Sequence, residues 1–220
     1  MARSKQKKFA DFDKSKYAFD YKNETQLKLL KEALAKWDSV VVELGCGKGA
    51  YTIALAEKNQ DGLFLGVDIQ GERLAFACKV AEDKKLSNCR FFRAPIQRID
   101  EFLEPSSIDS IWLTFPDPFP RLRQAKRRLT SLGLLQKYKE ILENEGIIHL
   151  KTDSFELANF TKEQIDKANY LKAITDICNV DSLPPDHEAR LVQTDFEKKH
   201  RSKGATIYYL SARLIEDPAQ

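Results

Sequence analysis

Short runs of β-branched and aromatic residues alternate with amphipathic stretches along most of the chain, and that alternation restricts the fold more than any other feature. Strand-like segments fall at 40–44, 63–68, 90–92, 110–115, 147–150, 171–180 and 205–214. Helix-like spacing of apolar residues fills 51–58, 72–85, 96–103, 131–144 and 155–168. Seven strands interleaved with helices of this length predict an α/β fold: a mostly parallel seven-stranded sheet with helices on both faces. Ligands of such sheets bind beyond the carboxyl ends of the strands, so the residues to examine are Gly45 to Gly49, Asp68, Ala94-Pro95, Asp117 and Asp153. Leu183-Pro184-Pro185-Asp186 reads as a loop before the last strand.

The 220 residues are 42% apolar and 31% charged, ordinary values for a globular chain and wrong for a disordered or collagen-like one. The expected organisation is a basic N-terminal extension and lead-in helix over 1–37, then one domain over 38–220. No apolar run approaches the roughly 18 residues of a membrane span. The first eight residues, Met1-Ala2-Arg3-Ser4-Lys5-Gln6-Lys7-Lys8, are unlike a secretory signal. A cytoplasmic protein without membrane partner is expected. Cys46, Cys78, Cys89 and Cys178 are scattered and only three histidines are present, so neither disulfides nor a metal site is expected.

Net charge is only +3, but it is unevenly spread. Residues 1–22 carry +4, 119–130 carry +5 and 197–203 carry +3, which leaves −9 for the remainder. Basic stretches on a mildly acidic body point to a polyanionic partner.

Glu43-Leu44-Gly45-Cys46-Gly47-Lys48-Gly49-Ala50 lies between a strand and a helix. Its glycines permit a tight turn and close backbone approach to a ligand. The spacing also satisfies a dinucleotide fingerprint. It is not a phosphate-binding P-loop, because Gly49 follows Lys48 where Ser or Thr would hold magnesium. Two details favour S-adenosylmethionine over NAD. Glu43, inside the strand, can face a cationic amino-acid end, and Gly49 leaves less side chain than a pyrophosphate loop requires. Asp68 ends the next strand, placed for ribose hydroxyls or as a helix N-cap, and the two roles are compatible.

The stretch from Trp112 to Leu129 joins a strand, the turn Phe115-Pro116-Asp117-Pro118-Phe119 and a loop holding Arg121, Arg123, Lys126, Arg127 and Arg128. Here the sequence resembles the bacterial tRNA (guanine-N(7)-)-methyltransferases, whose pattern is Pro-Asp-Pro-Trp followed by a basic loop ending Lys-Arg-Arg. Lys151-Thr152-Asp153, Thr194-Asp195-Phe196-Glu197 and Gly204-Ala205-Thr206-Ile207-Tyr208-Tyr209 match in order, and the likeness runs over about 38–214. It implies the Rossmann-like class I fold of S-adenosylmethionine-dependent methyltransferases, and tRNA as substrate. It further implies that Glu43, Asp68, the Pro95 position and Asp117 surround the cofactor, which Gly45 and Gly47 of the glycine turn are also expected to contact. Arg121, Asp153, Thr194 and Glu197 are implied to contact the nucleic acid.

Elementary chemistry agrees with that division. A guanine edge presents N–H donors, and Asp153, Glu197 or Asp117 can accept them. Arg121, Arg123, Lys126, Arg127 and Arg128 suit phosphates, which position without specifying. Asp117 is the candidate catalytic residue. Guanine N(7) carries a free lone pair, so Asp117 is expected to orient and to balance charge, with no proton removed before attack.

Three departures stand out. Phe119 replaces the family's Trp, Leu122 and Gln124 replace a basic residue and a His, and Pro95 replaces the Asn or Asp that meets adenine. Adenine recognition then falls to the Ala94 carbonyl, the Ile96 amide or Gln97.

Three other activities fit parts of the chain. An amino-group methyltransferase uses an Asn/Asp-Pro-Pro-Tyr/Phe turn, which 115–119 nearly reproduces. A nicotinamide oxidoreductase could use the glycine turn but lacks an evident proton donor. A non-catalytic RNA-binding protein could use the basic loop, leaving Glu43, Asp68 and Asp117 without common purpose. His149 lies in an apolar strand and is expected to be packed; His187 and His200 are expected in polar loops.

Overall fold

The computed structural model describes residues 12–215. The chain divides into two compact units, Met1–Glu104 and Pro105–Gln220.

The first unit holds β1 (Ala18–Asp20), α1 (Glu24–Leu34), β2 (Val40–Leu44), α2 (Ala50–Lys58), β3 (Leu63–Asp68), α3 (Gly71–Asp83) and β4 (Cys89–Arg93). Its strands lie side by side as β1-β4-β3-β2, every pair parallel. All six residues of β3 are buried, as expected of a parallel strand covered on both faces. In register, Leu44 pairs with Val67, and Arg93 pairs with both Asp68 and Asp20. The carboxyl ends of four strands therefore finish level. Arg93 draws them together: Nη1 binds Asp20 at 2.8 Å and Nε donates to the Ile69 carbonyl at 3.2 Å.

The second unit holds β5 (Ile108–Thr114), α4 (Leu132–Ile141), β6 (Leu142–Thr152), α5 (Phe155–Lys167), β7 (Leu171–Asn179), α6 (Glu188–Leu191), α7 (Asp195–Arg201) and β8 (Tyr208–Leu214). β5 is parallel to β6, whereas β8 runs antiparallel to both β6 and β7. Large apolar side chains fill the interior, with Trp112, Tyr138, Leu135 and Ile111 at most 1% exposed.

The described residues hold eight strands, against seven expected. The additional one, β1, has only three residues, too short to show a period. The helix expected over 131–144 stops at Ile141, where β6 begins early and bulges: the pairing jumps from Ile108–Leu142 to Ser110–Ile147. Glu145 takes φ 63° inside that bulge, and a Cβ on Gly146 would stand 2.9 Å from the Glu143 carbonyl. Residues Ile96–Glu101 form a 3-10 turn in place of the expected α-helix. Two short helices, α6 and α7, occupy the stretch expected as polar loop. Among the described residues, no helix is long and apolar enough to cross a membrane.

Candidate active site

At the end of β2 the backbone turns through three left-handed glycines, Gly45, Gly47 and Gly49, at φ 81°, 57° and 71°. The Gly45 and Cys46 amides both donate to the Val67 carbonyl, at 2.8 and 3.1 Å, which seats the turn on β3. Asp68 closes it: Oδ2 accepts from the Gly47 amide at 3.0 Å and Oδ1 from the Gln70 amide at 2.8 Å. A carboxylate has about four acceptor positions, so capacity for ribose hydroxyls is left after these two bonds.

The glycines differ in what they tolerate. A Cβ on Gly47 would meet nothing nearer than Arg73 Nη1 at 3.9 Å, so the crest of the turn is open to a ligand. A Cβ on Gly49 would stand 2.5 Å from the Phe91 ring and 2.8 Å from Ala77. Gly49→Ala is therefore expected to cost about 2–4 kcal/mol in denaturant unfolding, from overpacking plus an unfavourable φ.

Glu43 is 3% exposed. Its Oε2 accepts both the amide and the hydroxyl of Thr52, the amide at 2.9 Å, so the acid serves the N-terminal turn of α2, where negative charge is favoured. Thr52 carries no motif signal in the sequence; it stands one helical turn past the glycines. Cys46 is a small packed side chain within the turn, and burial pushes its thiol well up. Pro95, half-buried, opens the 3-10 turn, and Ala94 before it donates to the Asp68 carbonyl at 3.2 Å. Gln97 is exposed.

In the second unit, the chain leaves β5 through a strained turn. Phe115 and Phe119 take φ 48° and 41°, and they bracket Pro116-Asp117-Pro118. Such values cost a bulky residue of order 1–3 kcal/mol each and survive only where surrounding contacts enforce them. The Phe115 amide donates to the Lys151 carbonyl at 2.7 Å. Arg128, 6% exposed, donates from Nε to the Pro118 carbonyl at 3.0 Å and from Nη2 to the Phe119 carbonyl at 3.1 Å. Its guanidinium also lies over Phe160 at 4.2 Å. Asp117 is presented exposed at the apex.

The basic loop thus divides. Arg128 is a clamp on the turn, contrary to the expectation that it would face phosphate. Arg127 lies over the Phe119 ring at 4.5 Å and remains exposed, as do Arg121, Arg123 and Lys126.

β6 ends in Lys151-Thr152, with Asp153 next. Lys151 is fully buried, with Nζ 2.6 Å from Glu197 Oε2 and 2.8 Å from the Val192 carbonyl. Burial draws the amine below its usual range. The other Glu197 oxygen accepts from Arg201 Nε at 2.9 Å, and Arg201 continues to Asp181 at 2.8 Å. Thr194 caps α7, its hydroxyl accepting from the Glu197 amide at 3.3 Å. Glu197 therefore points inward, which departs from the expectation of acceptors offered to a substrate. Asp153 remains partly exposed, with Oδ2 3.8 Å from His200 Nε2.

His149 stacks on Trp112 at 4.1 Å, Nδ1 lies 2.8 Å from the Tyr209 hydroxyl, and burial holds its pKa down to about 3. The unfolded chain takes up this proton below about 6.5 while the folded one does not. Stability should therefore fall with acidification through that window by on the order of 1 kcal/mol per pH unit. Urea midpoints measured against pH should show a shallower decline in His149→Gln.

The described residues contain no cluster of side chains suited to a metal ion. A family model described as "Putative methyltransferase" matches residues 38–210. A tRNA (guanine-N(7)-)-methyltransferase of Christiangramia forsetii is 37% identical over 177 residues, 80% of this chain and 78% of that protein. One of Bacteroides thetaiotaomicron is 32% identical over 227 aligned positions, 99% of this chain and 88% of that protein. The solved 16S rRNA methyltransferase KamB superposes with a TM-score of 0.63 at 17% identity, over 88% of this chain and 94% of that one. An A1408 methyltransferase of the 30S ribosome from an uncultured bacterium gives 0.62 at 18% identity, over 88% and 96%. At such low identity these structures establish the fold, which is the Rossmann-like class I fold of S-adenosylmethionine-dependent methyltransferases. With the glycine turn and the Pro-Asp-Pro turn inside the matched region, the chain belongs to the tRNA (guanine-N(7)-)-methyltransferase family.

Proposed function

We propose that this protein transfers a methyl group from S-adenosylmethionine to N(7) of a variable-loop guanine in tRNA, acting in the cytoplasm. The observation that carries it is the strained turn that presents Asp117, followed directly by exposed cations, in a chain aligned almost end to end with enzymes of that name. The catalytic domain is taken as 38–220, with 1–37 leading into it.

The cofactor supplies an electrophilic sulfonium methyl. The open crest at Gly47, the remaining acceptor positions of Asp68 and the turn beneath them at Gly45 suit its nucleoside part. Glu43 contributes by holding the first turn of α2, and Ala94-Pro95 with Gln97 border the adenine. Asp117 provides negative charge near the purine as positive charge passes to it. N(7) needs no deprotonation, so rate comes from orientation and electrostatics. Asp153 accepts from the guanine edge. Thr194 and Glu197 act through the placement of α7.

Phosphate contacts fall to Arg121, Arg123, Lys126 and Arg127, and Arg128 keeps the turn in shape. Replacing Arg121 and Arg123 together by Ala should flatten the dependence of log K for tRNA on log salt by about one to two units. Cofactor affinity should stay unchanged. An unchanged slope would show that these arginines do not meet phosphate.

Methyl transfer from labelled S-adenosylmethionine to bulk tRNA, followed by nucleoside analysis, tests the whole proposal. 7-Methylguanosine is expected. Methyladenosine would favour the amino-group methyltransferase, and tight NAD binding with no response to S-adenosylmethionine would sink the cofactor assignment.

A further inference from the structure

We propose that Phe196 is a stacking platform for a nucleobase of the tRNA, a role that rests on the methyl-transfer activity proposed above. Phe196 is 46% exposed on α7, a helix whose other residues are all polar or charged. A single exposed aromatic is common on protein surfaces. This one is distinguished by its mounting and its neighbours.

The ring lies 5.0 Å from that of Phe115, the left-handed residue from which the chain turns to Asp117. His200 stacks on it at 4.0 Å and 28°. His200 Nδ1 sits 2.8 Å from the Phe196 carbonyl, which can only accept, so Nδ1 carries a proton and Nε2 is left toward Asp153 at 3.8 Å. An exposed aromatic ring stacked on an imidazole, and a carboxylate, therefore stand together at the root of the Asp117 turn.

The platform is also rigidly held. The buried Glu197 next to Phe196 is locked to Lys151, the Thr194 cap starts the helix, and Arg201 ties its end to Asp181. Preorganisation of this kind spares a binding surface the cost of ordering itself. Lys198 and Lys199 on the same helix are exposed, and Lys198 lies 3.9 Å from Asp195. Aromatic faces beside cations are the recurring means of holding unstacked RNA bases, whereas phosphate contacts need no ring.

The test compares Phe196→Leu, Phe196→Tyr and Phe196→Trp in the full chain. Leucine keeps apolar cover over Phe115 but has no π-face, so KM for tRNA should rise about 5- to 150-fold, with S-adenosylmethionine affinity unchanged. Tyrosine should retain the wild-type KM. The tryptophan variant, read against the wild-type emission of Trp37 and Trp112, should be quenched by tRNA and left unmoved by polyphosphate. A leucine variant with wild-type KM, or tryptophan emission indifferent to saturating tRNA, would overturn the proposal. Failure of the wild-type protein to methylate tRNA would instead strike the methyl-transfer assignment, and the fluorescence measurement reads base contact without any turnover.

Discussion

Asp117→Asn should lower kcat by roughly 10- to 1000-fold and S-adenosylmethionine affinity much less. Asparagine keeps the shape and one acceptor and removes only the charge, so the loss isolates the electrostatic contribution. Asp117→Ala should lose at least as much. In the proposed role the charge it balances develops mainly in the transition state, so kcat should respond more than binding does. With both substrates saturating and methyl transfer limiting, the wild-type rate should be flat across neutral pH. A rate climbing tenfold per pH unit, and losing that slope in Asp117→Asn, would demonstrate base catalysis. Full activity in Asp117→Ala would mean that the strained Phe115–Phe119 turn is purely architectural.

The second large effect is expected at the buried ion pair. Glu197→Gln leaves the ammonium of Lys151 without its counter-charge in a site with no solvent exposure. Breaking such a pair costs about 3–5 kcal/mol, which for a chain of this size lowers the thermal midpoint by roughly 6–20 °C. Lys151→Met combined with Glu197→Leu should recover much of the loss, since a well-packed apolar pair spares both desolvation penalties. The single variant should also show a larger pH dependence than the wild type. Burial already draws the Lys151 amine below 10.5, and without Glu197 the charge that opposes this shift is gone. Between the folded and unfolded values the unfolded chain binds more protons, so Glu197→Gln should become more stable as pH rises through that interval. Thermal unfolding of the three proteins at two or three pH values checks both points. A Glu197→Gln protein as stable as wild type would show that the pair contributes nothing.

Much of the candidate site is legible in the amino-acid sequence, because local covalent constraints wrote it. Gly45, Gly47 and Gly49 all adopt positive φ, a demand met cheaply only by glycine, so their spacing after a β-branched run announces the turn. Asp68 is legible for a similar reason: it closes a strand at the edge where parallel sheets gather ligands. Pro116 and Pro118 fix their own φ, which marks the Asp117 turn. Even the start of α7 is signalled by Thr194 and Glu197 at capping-box spacing, although the helix, at seven residues, is too short to show a period.

Chain order and side-chain chemistry established the class of fold, the glycine turn after β2 and the acid on the Pro-Asp-Pro turn, since each depends on neighbours within a few residues. The direction in which long charged side chains point was settled by packing between distant segments. Arg128 and Arg127 are adjacent and chemically identical, yet one clamps carbonyls inside the turn and the other stays exposed. Glu197 looks like a surface carboxylate until β6 brings Lys151 against it, and Phe196 looks like an ordinary exposed ring until Phe115 and His200 are placed beside it. A long charged side chain gains its energy from whatever partner the folded chain supplies, and that partner's distance along the sequence leaves no local trace.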